Sequence, residues 1–269
     1  MMFTLPTHSL LKHLHRAAMA WLNSWWRLLH FAVLIFSLAL TPSSYNRRNR
    51  PVLARHLVLA TAPNLMWFSV MAALLSLVLI RIVVVTALSY GLSRYALEMV
   101  VRVLVLELIP LTAAAFIALR STLPGGLEFA QLRARGSLDA LQRSGADPLR
   151  AEFFPRVAAG VFSVWMLAAV SCVLTLVLAY LSIYGFTPWA LQGYTRVVGQ
   201  VFNPAVTLIL MLKVLFFSFA VGLIPMVSSY YGGVSRSGLL RPAHGLRDMV
   251  RLFSVILLIE IASLMGNYY

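Results

Sequence analysis

The sequence predicts an all-α integral membrane protein with about five transmembrane helices, an N-terminal interfacial helix and a cytoplasmic coupling helix. Two observations establish the membrane class. Hydrophobic residues make up 61% of the 269 residues and charged residues only 11%, which is too apolar for a soluble domain of this length. The apolar residues also fall into runs of about 20, the length that crosses a bilayer as a helix. A third observation, the placement of the basic residues, orients the chain in the membrane.

Residues 1–56 predict a separate N-terminal region, in which Ser9–Leu40 forms a helix lying in the cytoplasmic leaflet. Up to His30, basic residues and His alternate with Leu and Trp, and Trp favours the level of the lipid headgroups. The apolar run Phe31–Leu40 is too short to span the bilayer alone, and turn formers and arginines follow it. The competing interpretation joins this run to a true span. No small-residue cleavage site follows the basic start, so no cleavable signal peptide is predicted.

Residues 57–269 predict a single membrane domain with five spans. One of them, Leu65–Tyr90, contains Arg81 within its apolar run. The other four are clearer: Val100–Leu119, Val157–Tyr184, Phe202–Val227 and Met249–Met265. Each is long enough to cross the hydrocarbon core.

The net charge of +14 is concentrated on one side of the predicted membrane. With a cytoplasmic N-terminus and five spans, the basic segments Lys12–Arg55, Arg120–Arg156 and Arg236–Arg251 all face the cytoplasm. The opposite loops carry only Arg94 and Arg196. This is the positive-inside distribution. A nucleic-acid surface is the weaker interpretation, because no soluble domain would present it.

The polar segment 120–156 is longer than the 2–8 residues that commonly connect neighbouring helices. Apolar residues at helical spacing predict a short amphipathic helix over Leu127–Ser144, parallel to the membrane. Pro124–Gly126 is predicted to end the preceding span, and Gly145 with Asp147–Pro148 to close the short helix. The alternative is a helix that rests at the interface without a partner.

The sequence contains none of the motifs that would indicate an enzyme. It lacks a phosphate-binding loop, a nucleophile elbow, a metalloprotease H-E-x-x-H motif and a dinucleotide fingerprint. Cys172 is the single cysteine and lies in a span, which excludes a disulfide or a cysteine-based metal site within the chain. We therefore predict no catalytic residue, metal or cofactor on this chain. If ATP supplies energy, another chain binds the nucleotide.

Ionisable residues inside the spans are the candidate functional groups. Each costs about 2.5–3.5 kcal/mol at a helix centre on insertion scales, so it needs a partner or a wet cavity. Glu98 and Arg102 are four residues apart and satisfy one another as a structural pair. Three others have no opposite charge three or four positions away, and Arg81 adds a fourth candidate. The three are Glu107, Lys213 and Glu260.

Because these residues lie on different helices, the sequence predicts that they surround one interior polar cavity. The alternative leaves each as an isolated structural residue. A mainly apolar cavity with few charges suits a lipid, which has a charged head and apolar tails, better than it suits an inorganic ion. Lone carboxylates also occur in proton-coupled carriers, so a proton- or ion-coupled secondary carrier using Glu107 and Glu260 stays open. A membrane scaffold that transports nothing is a further alternative.

Several short motifs follow one another along the chain in an order that is typical of one protein family. They are ELIP at Glu107–Pro110, DALQRSGADPLR at Asp139–Arg150, PRVAAGVFS at Pro155–Ser163, LKVLFFS at Leu212–Ser218, and Glu260 in the last span. Together they resemble the permease subunit of MCE-associated ABC lipid transporters, the MlaE/YrbE type. The resemblance covers about residues 65–269.

The resemblance implies a homodimer of five-span permeases in the bacterial inner membrane. It further implies a pair of ATPase subunits below, which bind ATP and Mg²⁺, and a periplasmic MCE protein above, expected to be hexameric. Phospholipid or a similar lipid would pass between the membrane and the MCE conduit. By this resemblance Glu107, Lys213 and Glu260 lie around the lipid cavity, and residues 127–144 form the coupling helix. The residues expected to contact the ATPase are Glu128, Leu132, Arg133, Arg135, Leu138 and Asp147.

Three departures from the family pattern predict a divergent member with its own ATPase partner. Leu106 stands where the family often has Arg before its Glu. Ser121–Pro124 replaces a pattern of small residues. Gly136–Ser137, with Arg135 ahead, replaces an acidic Glu-Gln in the coupling helix.

Overall fold

The computed structural model of the chain describes residues 7–42, 50–92, 95–143, 147–231 and 243–268. Within these ranges the chain is helical apart from short turns and contains no strand. Ten α-helices occur in these ranges: α1 Thr7–Leu40, α2 Arg50–Ser89, α3 Ala96–Val100, α4 Ile109–Ile117, α5 Leu123–Ala134, α6 Ser137–Arg143, α7 Phe154–Tyr184, α8 Leu191–Val201, α9 Pro204–Tyr231 and α10 Ala243–Tyr268. Three π-helical segments join some of them: Val101–Leu108, Ala118–Thr122 and Leu149–Phe153. The all-α class is confirmed.

Six helical stretches in the described part of the chain are long and apolar enough to cross a membrane. Five of them overlap the five predicted spans, to within two residues at either end where the prediction extends further, so the prediction of an integral membrane protein is confirmed. The sixth, Leu22–Leu40, lies near the N-terminus and includes the run Phe31–Leu40. By length and composition alone, this stretch also admits the interpretation in which α1 spans the bilayer.

The described contacts of α1 lie at one end of the helical bundle. Phe31 packs against Phe153, just before α7, and against Tyr230 at the end of α9. Arg251, near the start of α10, donates hydrogen bonds to the side chain and carbonyl of Ser24. The segment from Ser24 to Phe31 is about 10 Å long. All of these partners lie at one end of the bundle, where α7 and α10 begin and α9 ends.

Helix α2 packs chiefly on α7, and polar side chains join the two helices inside the apolar bundle. Thr61 and Ser163 are hydrogen-bonded at 2.8 Å, and Ser76 and Thr175 at 2.9 Å. Hydroxyl pairs of this kind stabilise helix association where no water competes. They fix the rotation and register of α2 on α7.

The prediction that Pro124–Gly126 ends the preceding span is wrong. The span continues from Ala96 through the π-helical segment Ala118–Thr122 into α5 without a break. Pro124 lies in the first turn of α5. The wider π turn before it accommodates both its missing N–H and its ring, so the chain does not need to leave the helix.

The prediction of one helix over Leu127–Ser144 is also wrong, because that segment is divided. Helix α5 ends at Ala134, and Gly136 follows with φ +72°. This left-handed conformation suits glycine, which has no Cβ to clash. Helix α6 then begins at Ser137. The predicted closure at Gly145 lies outside the described residues.

Each π-helical segment ends two residues before a proline. The prolines are Pro110, Pro124 and Pro155. Proline removes the N–H that would bind the carbonyl four residues back and its ring clashes with that carbonyl. Shifting the preceding hydrogen bonds to a five-residue register widens the helix and relieves the clash. Pro63 and Pro225 lie inside α2 and α9 without such a segment. Within the described helices, a π-helical segment therefore accompanies only some of the prolines.

Candidate functional site

Three of the four residues predicted to line a polar cavity meet in the interior of the bundle. Lys213 of α9 forms ion pairs with Glu107 of the segment Val101–Leu108 and with Glu260 of α10. The side chain of Lys213 is 1% exposed, and those of the two glutamates are 12% and 11% exposed. The cluster therefore joins three helices through charges that are largely removed from solvent.

Lys213 directs its ammonium group at three separate acceptors. Its Nζ donates to Oε2 of Glu107, to Oε1 of Glu260 at 3.0 Å and to the carbonyl of Leu106 at 3.1 Å. An ammonium has three N–H donors and no acceptor. The hydrogen-bonding capacity of Lys213 is thus fully used within the protein.

Pro110 explains why the Leu106 carbonyl is free to accept. In a helix, the N–H of residue 110 would bind the carbonyl four or five residues earlier, at Leu106 or Val105. Proline has no N–H. The Leu106 carbonyl instead accepts from Lys213, and the Val105 carbonyl accepts from Cys172 Sγ at 3.5 Å. The proline of the E-L-I-P motif therefore helps to position the lysine on a neighbouring helix.

Helix α10 adds a residue that the sequence analysis did not identify. Asn267 donates from Nδ2 to Oε1 of Glu107 at 3.0 Å. Glu107 is therefore held from two sides, by Lys213 and by Asn267. The spacing of seven residues between Glu260 and Asn267 places both on one face of α10 and was the available signal in the sequence.

Several polar atoms of this face of α10 have no hydrogen-bond partner among the described residues. They are Oε2 of Glu260, Oγ of Ser263 and Oδ1 of Asn267. Oε2 of Glu260 does lie 2.9 Å from Lys213 Nζ, so it shares in the ion pair. The hydrogen bond with suitable geometry goes to Oε1, which leaves Oε2 without a directed donor.

The cluster lies toward the end of the bundle that carries few basic residues. Glu107 follows the start of α3 by eleven residues, Lys213 follows the start of α9 by nine, and Glu260 precedes the end of α10 by eight. At 1.5 Å per residue these separations are about 12–17 Å. The basic segments lie at the opposite end of the same helices.

Arg81, the fourth predicted cavity residue, lies outside this cluster. Its side chain is exposed on α2, and none of the ion pairs found in the described part of the chain includes it. Glu98 and Arg102, by contrast, pair at 3.0 Å as predicted.

The residues predicted to contact an ATPase divide into two groups. Glu128, Arg135 and Asp147 are exposed, and Leu132 is partly exposed. Asp147 accepts the backbone N–H of Leu149 at 3.0 Å and stabilises the local turn. A docking role for these side chains stays a prediction.

Arg133 and Leu138 make contacts within the chain. The guanidinium of Arg133 donates to the carbonyl of Ser229 at 2.9 Å and to that of Tyr230. These carbonyls belong to the last turn of α9, where helical partners are missing. Leu138 packs against a group of buried apolar side chains that includes Phe31, Phe129 and Phe153. Arg133 therefore caps α9 with its charge at the negative end of the helix.

A close contact fastens α5 to α9 beside this cap. Ser229 Oγ donates to the Gly126 carbonyl at 2.7 Å. A Cβ at Gly126 would lie 2.9 Å from the carbonyl oxygen of Pro225, so only glycine fits without a shift. We call the contacts of Gly126 and Arg133 with α9 the α5–α9 clasp. Because α9 also carries Lys213, the clasp connects the basic end of the bundle to the buried cluster through a single helix.

Helices long enough to cross a membrane, with buried charges joined in their interior, define a multi-pass membrane protein. The sequence model of the family described as Permease MlaE matches residues 53–265. The match covers most of the chain, and the protein belongs to this family. Membership makes it an ABC-type permease of a family associated with lipid transport, and a transporter rather than an enzyme. A comparison with curated proteins found no match.

Proposed function

We propose that this chain is the permease subunit of an ABC transporter that moves phospholipid, or a similar lipid, between the inner membrane and a periplasmic MCE protein conduit. The observation that carries the proposal is the cluster of Lys213, Glu107 and Glu260 inside an otherwise apolar bundle. Buried charges in a membrane are costly and mark pathways for polar substrates. A lipid requires both features of this site, a polar point for its head and apolar surroundings for its tails.

The charge distribution supports a cytoplasmic N-terminus. The basic segment 120–156 and the start of α10 lie at the end of the bundle where α1 packs. By the positive-inside rule this end is cytoplasmic. Helix α1 then lies at the cytoplasmic interface, and the buried cluster lies nearer the periplasm, where a lipid conduit would receive its cargo.

The cytoplasmic end also offers a surface for an ATPase. Glu128 and Arg135 are exposed there on α5 and just after it, and the α5–α9 clasp fixes this surface to the helix that carries Lys213. A separate ATPase would bind ATP and Mg²⁺ and move α5, and α9 would follow. Two copies of the permease would present two such surfaces to a pair of ATPase subunits, with a hexameric MCE protein on the periplasmic side.

Reconstitution tests the function. The permease is purified with its ATPase and MCE partners, placed in liposomes, and transfer of fluorescent phospholipid to acceptor vesicles is measured with and without ATP. We expect ATP-dependent transfer that survives collapse of the proton gradient. Lys213→Ala should abolish it, whereas Glu98→Gln, a change in an ion pair remote from the cluster, should retain it. Transfer that ignores ATP and stops when the gradient collapses would instead establish a secondary carrier.

A further inference from the structure

The hydrogen-bond balance of the buried cluster indicates which headgroup it accepts. All three N–H donors of Lys213 are directed at Glu107, Glu260 and the Leu106 carbonyl. A lysine ammonium has no fourth donor. Lys213 therefore has nothing left to offer to a lipid phosphate.

What the cluster has left are acceptors. Oδ1 of Asn267 has no hydrogen-bond donor within the described ranges, and Oγ of Ser263 has no partner there. Oε2 of Glu260 lies 2.9 Å from Lys213 Nζ in the ion pair, but no hydrogen bond is directed at it. Ser263 is 7% exposed. The three residues are spaced i, i+3 and i+7 on α10 and so share one face. This face also contacts Lys213 and Glu107, so the unpartnered atoms border the cluster.

The formal charge of the cluster favours a cation. Two carboxyl groups share one ammonium, so the cluster is neutral with one glutamate ionised and carries one negative charge with both ionised. In neither state does it have positive charge left for an anionic headgroup, and inside the bundle, where the effective dielectric constant is low, the negative state repels an anion more strongly than it would in water. A ligand that satisfies the site must bring positive charge and hydrogen-bond donors together.

A primary ammonium is the lipid headgroup that supplies both. It carries a positive charge and three N–H donors. A choline headgroup has the charge but no N–H, and a glycerol headgroup has O–H donors but no positive charge. We infer that Glu260, Ser263 and Asn267 form a subsite for the primary ammonium of a lipid headgroup. This inference rests on the proposed function and narrows its substrate class.

Retention of lipids by the purified protein tests the subsite. The full-length protein is incorporated into nanodiscs containing equal amounts of phosphatidylethanolamine, phosphatidylcholine and phosphatidylglycerol, re-extracted in mild detergent, and its bound lipids are quantified by mass spectrometry. We expect phosphatidylethanolamine to be enriched about tenfold over phosphatidylcholine, the size of one charge-assisted hydrogen bond. The comparison uses the unaltered protein, so it does not depend on a variant that folds.

Variants then locate the preference. Glu260→Gln has the same shape but makes the cluster neutral, and the enrichment should fall close to that of the bulk lipid. Glu98→Gln removes a carboxylate that pairs with Arg102 outside the cluster and should leave the enrichment unchanged. Size-exclusion profiles and circular dichroism establish that both variants are folded.

The other outcomes are distinct. Equal retention of the three lipids, or enrichment of phosphatidylglycerol, would overturn the ammonium subsite and leave lipid transport standing. Displacement of phosphatidylethanolamine by an equal concentration of soluble ethylammonium would show a small-amine site and would also overturn it. If no lipid is retained by any form of the protein, the proposed function itself fails.

Discussion

Replacing Gly126 by alanine should weaken the α5–α9 clasp. The added Cβ would lie 2.9 Å from the carbonyl oxygen of Pro225 and 3.1 Å from its Cβ. The first distance is shorter than real Cβ contacts, and the atom it meets is backbone, which cannot rotate away. The helices must therefore separate, which also lengthens the hydrogen bond from Ser229 to the Gly126 carbonyl.

Gly125 provides a matched control one position away in the same helix. A Cβ there meets only the flexible end of Met226, at 3.7 Å, which is an ordinary contact. Both substitutions gain the higher helix propensity of alanine, about 1 kcal/mol in each case. That gain cancels in the comparison. Overpacking of a close contact costs about 1–3 kcal/mol, so Gly126→Ala should be less stable than Gly125→Ala by that amount.

Reversible unfolding in mixed micelles, followed by circular dichroism, measures the difference in the free energy of unfolding. Equal stabilities of the two variants would refute the close contact. A second measurement tests its consequence: ATP-dependent lipid transfer should fall in Gly126→Ala and persist in Gly125→Ala. Loss of transfer in both variants would show that the α5–α9 clasp does not explain the effect.

Three further predictions concern the cluster and the cap of α9. Pro110→Ala restores an N–H that competes with Lys213 for the Leu106 carbonyl, so lipid retention in the nanodisc assay should fall. Pro124→Ala makes the same change at a distant π-helical segment and should leave lipid retention unchanged. Lys213→Met leaves buried carboxylates without their cation and should lower the free energy of unfolding by about 3–5 kcal/mol; an unchanged unfolding curve would mean that the ion pairs are not buried. Arg133→Gln uncaps the last turn of α9 and should lower the free energy of unfolding by about 1–3 kcal/mol. Arg135 is exposed, so Arg135→Gln should change the free energy of unfolding by no more than about 0.5 kcal/mol and should instead weaken ATPase binding in a pull-down. The opposite result would assign the cap to Arg135 and the ATPase contact to Arg133.

Much of the fold followed from local properties of the sequence. The five predicted spans each overlap a helix long enough to cross a membrane, and Glu98 and Arg102 form the predicted pair. The course of the chain after Pro124 did not follow. Pro and Gly usually end a helix, but a π turn before Pro124 and the close contact of Gly126 with α9 keep the helix intact. Neither the register of that turn nor the neighbouring helix can be read from the local residues.

The candidate site shows the same division. Lone charges in apolar runs predicted that Glu107, Lys213 and Glu260 need partners, and the structure joins them. The same reasoning included Arg81, which is exposed, because hydropathy does not show toward which side of a helix a residue points. It missed Asn267, because an uncharged side chain near the end of a span does not stand out by its charge, and only the seven-residue spacing from Glu260 indicated that the two share a helix face.

The sequence by itself determined the class of protein, five of the six long apolar helices of the described ranges, the one-sided distribution of basic residues and the family. These depend on length, composition and order along the chain, which are local. The tertiary structure decided which buried charges meet, that Pro110 leaves a carbonyl for Lys213, and that Arg133 caps α9. Such contacts depend on the rotation and register of helices distant in sequence, and those are fixed only when the helices pack.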